Sequence, residues 1–122
     1  MHSPYKSKGG FSRLLNALRY SRKGLAAAFR HEAAFRQELF AATILCPLAF
    51  FAGGNTLEIL LLIASLALVL IVELLNSGLE AIADAVSVDH HPLIERAKDL
   101  GSAAVFLSIL LALFVWAGVL LT

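Results

Sequence analysis

One cysteine, Cys46, excludes an intramolecular disulfide, and its place in an apolar run reads as a small packed residue rather than a reactive thiol. No cysteine or histidine spacing suits zinc, since His90 and His91 stand alone as a pair. Charge is scarce too. Only 16% of the 122 residues are Asp, Glu, Lys or Arg. Hydrophobic residues make up 59%, where soluble domains carry about 45–50%. A soluble fold of this size needs a more charged surface, so the composition indicates a membrane protein. The net charge of +1 gives no reason to expect a nucleic-acid partner. Also missing are a GxxxxGK[ST] phosphate loop, a protein-kinase catalytic-loop or metal-binding signature, and GxSxG. Nucleotide chemistry here would need a different architecture.

What remains is long uncharged runs. Leu39 to Leu57 carries no charge between Glu38 and Glu58; Ile59 to Val86 carries only Glu73, Glu80 and Asp84; Leu100 to Thr122 carries none. About 20 apolar residues span a bilayer core, so three membrane helices are expected. Pro47 and Gly53-Gly54 interrupt the first, which starts before Glu38 as a continuation of EAAFRQE. The expected fold is an all-α membrane protein in one domain. Its surface helix covers about 11–30, and its spans about 33–53, 57–86 and 98–121.

Basic residues give the direction. Lys6, Lys8, Arg13, Arg19, Arg22, Lys23, Arg30 and Arg36 precede the first span, and Arg96 and Lys98 lie between the second and third. The AGGNTLE connection has no basic residue. The positive-inside rule then puts the N-terminus in the cytoplasm and, after three spans, the C-terminus outside. The basic region is too long for the start of a signal peptide, and none is expected. Within it Phe11, Leu14, Leu15, Leu18, Leu25 and Phe29 share one helical face, with Arg13, Arg19, Lys23 and Arg30 on others. That pattern suits an amphipathic helix on an anionic membrane surface, or a basic anchor that only sets topology. Arg22 on the apolar stripe and Gly24 predict a break near 22–24.

The second span carries the chemistry. At about 100° per residue, Glu73, Asn76, Ser77, Glu80 and Asp84 share an arc of roughly 100°. Polar residues confined to one stripe of a spanning helix face a bundle interior or a wet site. Glu73 lies roughly 24 Å along a helix entered at Leu57, near the cytoplasmic edge of a core about 30 Å thick. A carboxylate there meets the headgroup region on one side and water-soluble reagents on the other, which suits a general base. Glu32 precedes the first span and Lys98-Asp99 begins the third, so acids and a lysine converge on one membrane level. Carboxylates there suit magnesium, which prefers oxygen ligands and shares its shell with phosphates. Read singly, Glu32, Arg36 and Glu38 also suit exposed ion pairs, and Lys98-Asp99 the flank of a span.

EAAFRQE (32–38), IVELLNSGLEAIAD (71–84) and RAKDLGSAAV (96–105), with YSRKGLAAA at 20–28, closely resemble the bacterial integral-membrane diacylglycerol kinases over nearly the whole chain. The resemblance implies transfer of the γ-phosphoryl of MgATP to the hydroxyl of diacylglycerol, giving phosphatidic acid. It also implies a homotrimer in the bacterial inner membrane whose sites combine neighbouring subunits. By motif position, Glu73 resembles the general base, and Glu32 and Glu80 the carboxylates that hold Mg2+ and, through it, ATP. Lys98, Asp99, Asn76, Arg13 and Tyr20 resemble further nucleotide contacts. Asp89 and His91 fall where the family's loop approaches the nucleotide, although Asp89-His90-His91-Pro92 matches only loosely. Arg36, Gln37, Glu38, Ser102 and Trp116 resemble parts of the lipid-binding surface, which Glu73 also meets. The chain departs from the family pattern at Arg22, where an aromatic residue is expected, and at Phe29, where tryptophan is common.

Three other readings remain open. Relatives that phosphorylate undecaprenol share the same base and metal site. A small proton- or cation-coupled transporter would use Glu73 as its intramembrane acid. Against it stand the depth of Glu73 and the lack of polar residues in the first and third spans to line a path. A non-catalytic anchor would leave the Glu73–Glu80 stripe without a purpose.

Overall fold

Four helices account for nearly all of the residues that the computed structural model describes, 9–86 and 91–122. They are α1 (Gly10–His31), α2 (Ala33–Ala52), α3 (Thr56–Val86) and α4 (Pro92–Leu121). The protein is an all-α membrane protein, with α2, α3 and α4 long and apolar enough to cross a bilayer. At about 1.5 Å per residue α2 is roughly 30 Å long, about one bilayer core. Helices α3 and α4 exceed it by roughly 15 Å, which projects a paired overhang beyond the apolar slab.

Two of the breaks expected from local sequence do not occur. Helix α1 runs uninterrupted through Arg22–Gly24. One glycine costs about 1 kcal/mol against alanine in a helix, and the Ala26–Ala28 run that follows outweighs it. Pro47 sits inside α2 without ending it. Proline removes one N–H, so the Thr43 carbonyl loses its helical partner while the rest of the ladder persists. Helix α4 begins at Pro92, ahead of the expected span, with His91 as N-cap: its Nδ1 accepts from Leu93 N at 3.1 Å. Proline in the first turn is favoured because no intrahelical N–H is required there.

The joints are short and specific. Glu32 alone separates α1 from α2, in an extended conformation (φ −114°, ψ 106°). Arg36 closes that corner, its Nη1 donating to Phe29 O at 2.7 Å and to Arg30 O at 3.2 Å, carbonyls left open by the end of α1. Between α2 and α3, Asn55 Oδ1 accepts from Glu58 N at 2.9 Å, while the Glu58 carboxylate reaches back to Gly54 N at 2.7 Å. This reciprocal cap fixes the start of α3. Gly53 is required beside it, because a Cβ there would lie 2.6 Å from Ile59 Cγ1 and 2.9 Å from Ile59 N.

Helix α3 is the centre, packed along α4 and α2 and touched by α1. The buried positions recur every seven residues on α2 (Phe35, Ala42, Ala49) and on α4 (Gly101, Ser108). On α3 they are Leu62, Ser65, Leu66, Val69, Glu73 and Ala83. A seven-residue repeat is the seam of packed helices, and the small residues in it, Ala42, Ala49, Gly101 and Ser108, allow close approach. The other faces expose large apolar side chains, including Phe51, Leu75, Phe106 and Phe114. In a membrane these meet lipid or another chain.

Candidate active site

The α3 stripe puts one acid under cover. Glu73 is only 5% exposed, at the seam with α2. The Glu38 carboxyl of α2 lies within hydrogen-bonding reach of it. Ser77 Oγ, one turn along α3, stands 3.5 Å from Glu73 Oε2, at the limit of a hydrogen bond. Glu38 Oε1 is buried with no hydrogen-bond partner among the described residues. Two carboxyls side by side repel when both are ionised, and a shared proton or a bound cation relieves the repulsion. Sequestering such a pair is costly, and acids at membrane depth mark function more often than architecture.

Farther along α3, toward the overhang, the stripe turns to α4. Asn76 Nδ2 donates to Glu80 Oε1 at 3.1 Å. The opposite atom of that amide, Oδ1, is buried without a partner among the described residues and lies against Gly101. A Cβ on Gly101 would collide with it, so the glycine lets α4 approach α3 closely enough to seat Asn76. One turn beyond Glu80, Asp84 Oδ1 accepts from Lys98 Nζ at 2.9 Å. Glu80 lies within electrostatic range of the same ammonium.

A cleft of about 660 Å³ opens between α1 and α3. Gly24, Leu25 and Ala28 form one wall and Leu74, Ser77 and Ala81 the other, with Glu32 and His31 among the lining residues. Gly24 leaves the α1 wall bare where a side chain would fill it. Ser77 belongs both to this cleft and to the surroundings of Glu73, so the buried acid stands beside a largely apolar groove.

The residues expected at the site fall into groups. Glu38, Glu73, Asn76, Glu80 and Lys98 come together along the α3 stripe, and Glu32 stands across the cleft from it. Arg13, Gln37, Asp99 and Ser102 are exposed, and Tyr20 carries Lys23 Nζ 5.9 Å from its ring centre. Arg36 ties the α1–α2 corner, His91 caps α4, and Trp116 Nε1 donates to Ser65 Oγ at 3.2 Å in the apolar half of the hairpin. Asp89 lies outside the described residues. Among the described residues no three Asp, Glu, His or Cys side chains gather closely enough to hold a metal by themselves. Asp84 and Gly101 had no expected role. Asp84 shares the polar arc, and it stands seven residues before His91 where Lys98 stands seven after, which in an antiparallel hairpin sets them face to face.

Comparison with known proteins points to one family. Residues 19–120 match the family described as prokaryotic diacylglycerol kinase. A protein named diacylglycerol kinase from Pseudomonas aeruginosa is 49% identical over 119 residues, covering 98% of this chain and 97% of that one. Its namesake from Haemophilus influenzae is 47% identical over 116 residues (95% and 98%). That from Escherichia coli K12 is 46% identical over 107 residues (88% of each). With its motif acids on one stripe of α3 and a match over nearly its full length, the chain belongs to the prokaryotic diacylglycerol kinase family.

Proposed function

We propose that this protein is an ATP-dependent lipid kinase that moves the γ-phosphoryl group of MgATP to the free hydroxyl of diacylglycerol, giving phosphatidic acid. The observation that carries this reading is the buried Glu73 carboxyl beside an apolar cleft. An acceptor alcohol on a lipid can bring its hydroxyl to that carboxyl without leaving the bilayer. Family membership supplies the phosphoryl donor class and the acceptor named for the relatives.

In this reading Glu73 takes the hydroxyl proton as the oxygen attacks. Phosphoryl transfer demands little covalent help, so the remaining residues position the substrates and neutralise charge. Glu80 and Glu32 would hold Mg2+ together with the nucleotide phosphates. The donor set fits: magnesium is usually bound by one or two carboxylates plus phosphate oxygens and needs no cage of protein acids. Glu80 keeps Oε2 without a hydrogen bond among the described residues, since Asn76 takes Oε1. A cation held there would supply positive charge to offset that of the phosphates. Lys98 adds a positive charge at the same level; Asp99, Arg13, Tyr20, Asp89 and His91 complete the nucleotide surface. Arg36, Gln37, Glu38, Ser102 and Trp116 border the lipid. The working form is a homotrimer in the bacterial inner membrane, with the N-terminus and the α3–α4 overhang in the cytoplasm and the C-terminus outside. The exposed apolar faces of α2, α3 and α4 are compatible with partner copies.

The test is to give membranes containing the purified protein γ-labelled ATP with diacylglycerol and undecaprenol in competition. Label in phosphatidic acid is expected. Label only in undecaprenyl phosphate would change the acceptor, and no labelled lipid at all would overturn the kinase reading.

A further inference from the structure

Glu80 and Asp84 stand one turn apart on the same arc of α3, where like charges repel. Among the described residues Lys98 of α4 lies within range of both. It is hydrogen-bonded to Asp84 at 2.9 Å and reaches Glu80 only through space. Glu80 is left with Oε1 fixed by Asn76 and with Oε2 open. We propose that Asp84 keeps Lys98 off Glu80, and so leaves the Glu80 carboxylate free for a divalent cation. The inference rests on the reading of Glu80 as a metal ligand.

The side chains of Lys98 and Asp84 are 41% and 69% exposed, and an ion pair so open to water contributes little to folding. Its consequence lies in which carboxylate carries the ammonium. Lysine is a compact point charge on a flexible stem and takes whichever acid is offered. Without Asp84, the described carboxylate that remains within electrostatic range is Glu80. An ammonium seated there would occupy the open oxygen and repel an incoming cation. Asp84 is thus a positioning residue, acting on the metal through Lys98 and Glu80 without touching it.

Manganese in place of magnesium makes binding directly visible. Free Mn2+ is measured by electron paramagnetic resonance against the full-length protein in detergent, with and without a non-hydrolysable ATP analogue. Asp84→Asn is expected to weaken Mn2+ binding about tenfold, the range seen when groups that support a metal ligand are removed. Asp84→Glu, which keeps a partner for Lys98, restores most of it. The Asp84→Asn, Lys98→Met double variant regains affinity in the nucleotide-free measurement, because the competing ammonium is gone. A purely structural ion pair would give no such recovery. Wild-type affinity in Asp84→Asn, or a double variant as weak as the single one, overturns the inference. Glu80→Gln separates the levels. If it binds Mn2+ as tightly as wild type, the metal-ligand reading fails and takes the inference with it. If it loses Mn2+ while Asp84→Asn does not, only the role of Asp84 falls.

Discussion

The α3–α4 hairpin treats its polar atoms in two ways. In the apolar half nearer the Gly53–Asn55 turn, the buried Ser65 hydroxyl is tied twice: its Oγ donates to Leu62 O and accepts from Trp116 Nε1. Lipid offers no hydrogen bonds, so satisfaction by the protein is the stable arrangement there. At the opposite end, Asn76 Oδ1, and beside the hairpin Glu38 Oε1 of α2, are buried and left without partners among the described residues. A buried unpaired polar atom costs roughly 1–3 kcal/mol. The first half builds the hairpin. The second leaves polar atoms unpaired at the expense of its own stability.

Substitutions sharpen the contrast. The largest effect is expected from Glu73→Gln, which removes the proposed base and keeps the shape. Turnover should fall about a thousandfold, within the range for general-base catalysis, with helical content and assembly unchanged. Activity near wild type would sink the assignment. Glu80→Gln should raise the MgATP concentration needed for half-maximal rate about a hundredfold, since a ligand itself is lost. An unchanged nucleotide dependence would remove Glu80 from the metal site. Gly101→Ala inserts a methyl group where Asn76 Oδ1 lies. Overpacking of this kind costs about 1–3 kcal/mol, readable as easier unfolding in mixed detergent, and the Asn76–Glu80 hydrogen bond should go with it. Wild-type stability would mean that α4 moves aside at no cost. Ser65→Ala is the smallest: about 0.6 kcal/mol of stability, the average for a hydrogen bond between membrane helices, with MgATP dependence untouched. A change in nucleotide dependence there would erase the distinction between the two halves.

Much of this was legible in residue order. Uncharged runs marked three helices, and the 3.6-residue period put Glu73, Asn76, Glu80 and Asp84 on one stripe before any neighbour was known. Breaks were harder. Gly24 and Pro47 are helix breakers by propensity, but one unfavourable residue in twenty does not outweigh a cooperative ladder. Partners across helices were hardest. Glu38 and Glu73 are 35 positions apart, and their meeting depends on the crossing and rotation of α2 against α3, which no local pattern encodes. The resemblance assigned Glu38 to lipid and left unseen that its carboxyl faces the acid at the centre of the site. Arg36 likewise reads as a charge for solvent or ligand, yet it closes a corner, because carbonyls freed at a helix end are visible only once the next helix has turned back.

That corner has a mechanical consequence. One residue joins α1 to α2, and the Arg36 guanidinium spans the joint like a strut, bracing the last turn of one helix from the first turn of the other. With so short a hinge and so stiff a brace, α1 has little freedom to swing independently of α2. Because α1 forms one wall of the cleft, the width of the groove is geared to the tilt of α2 in the bilayer. A tilt of that helix is thereby passed, over a single peptide unit, to the wall of the cleft.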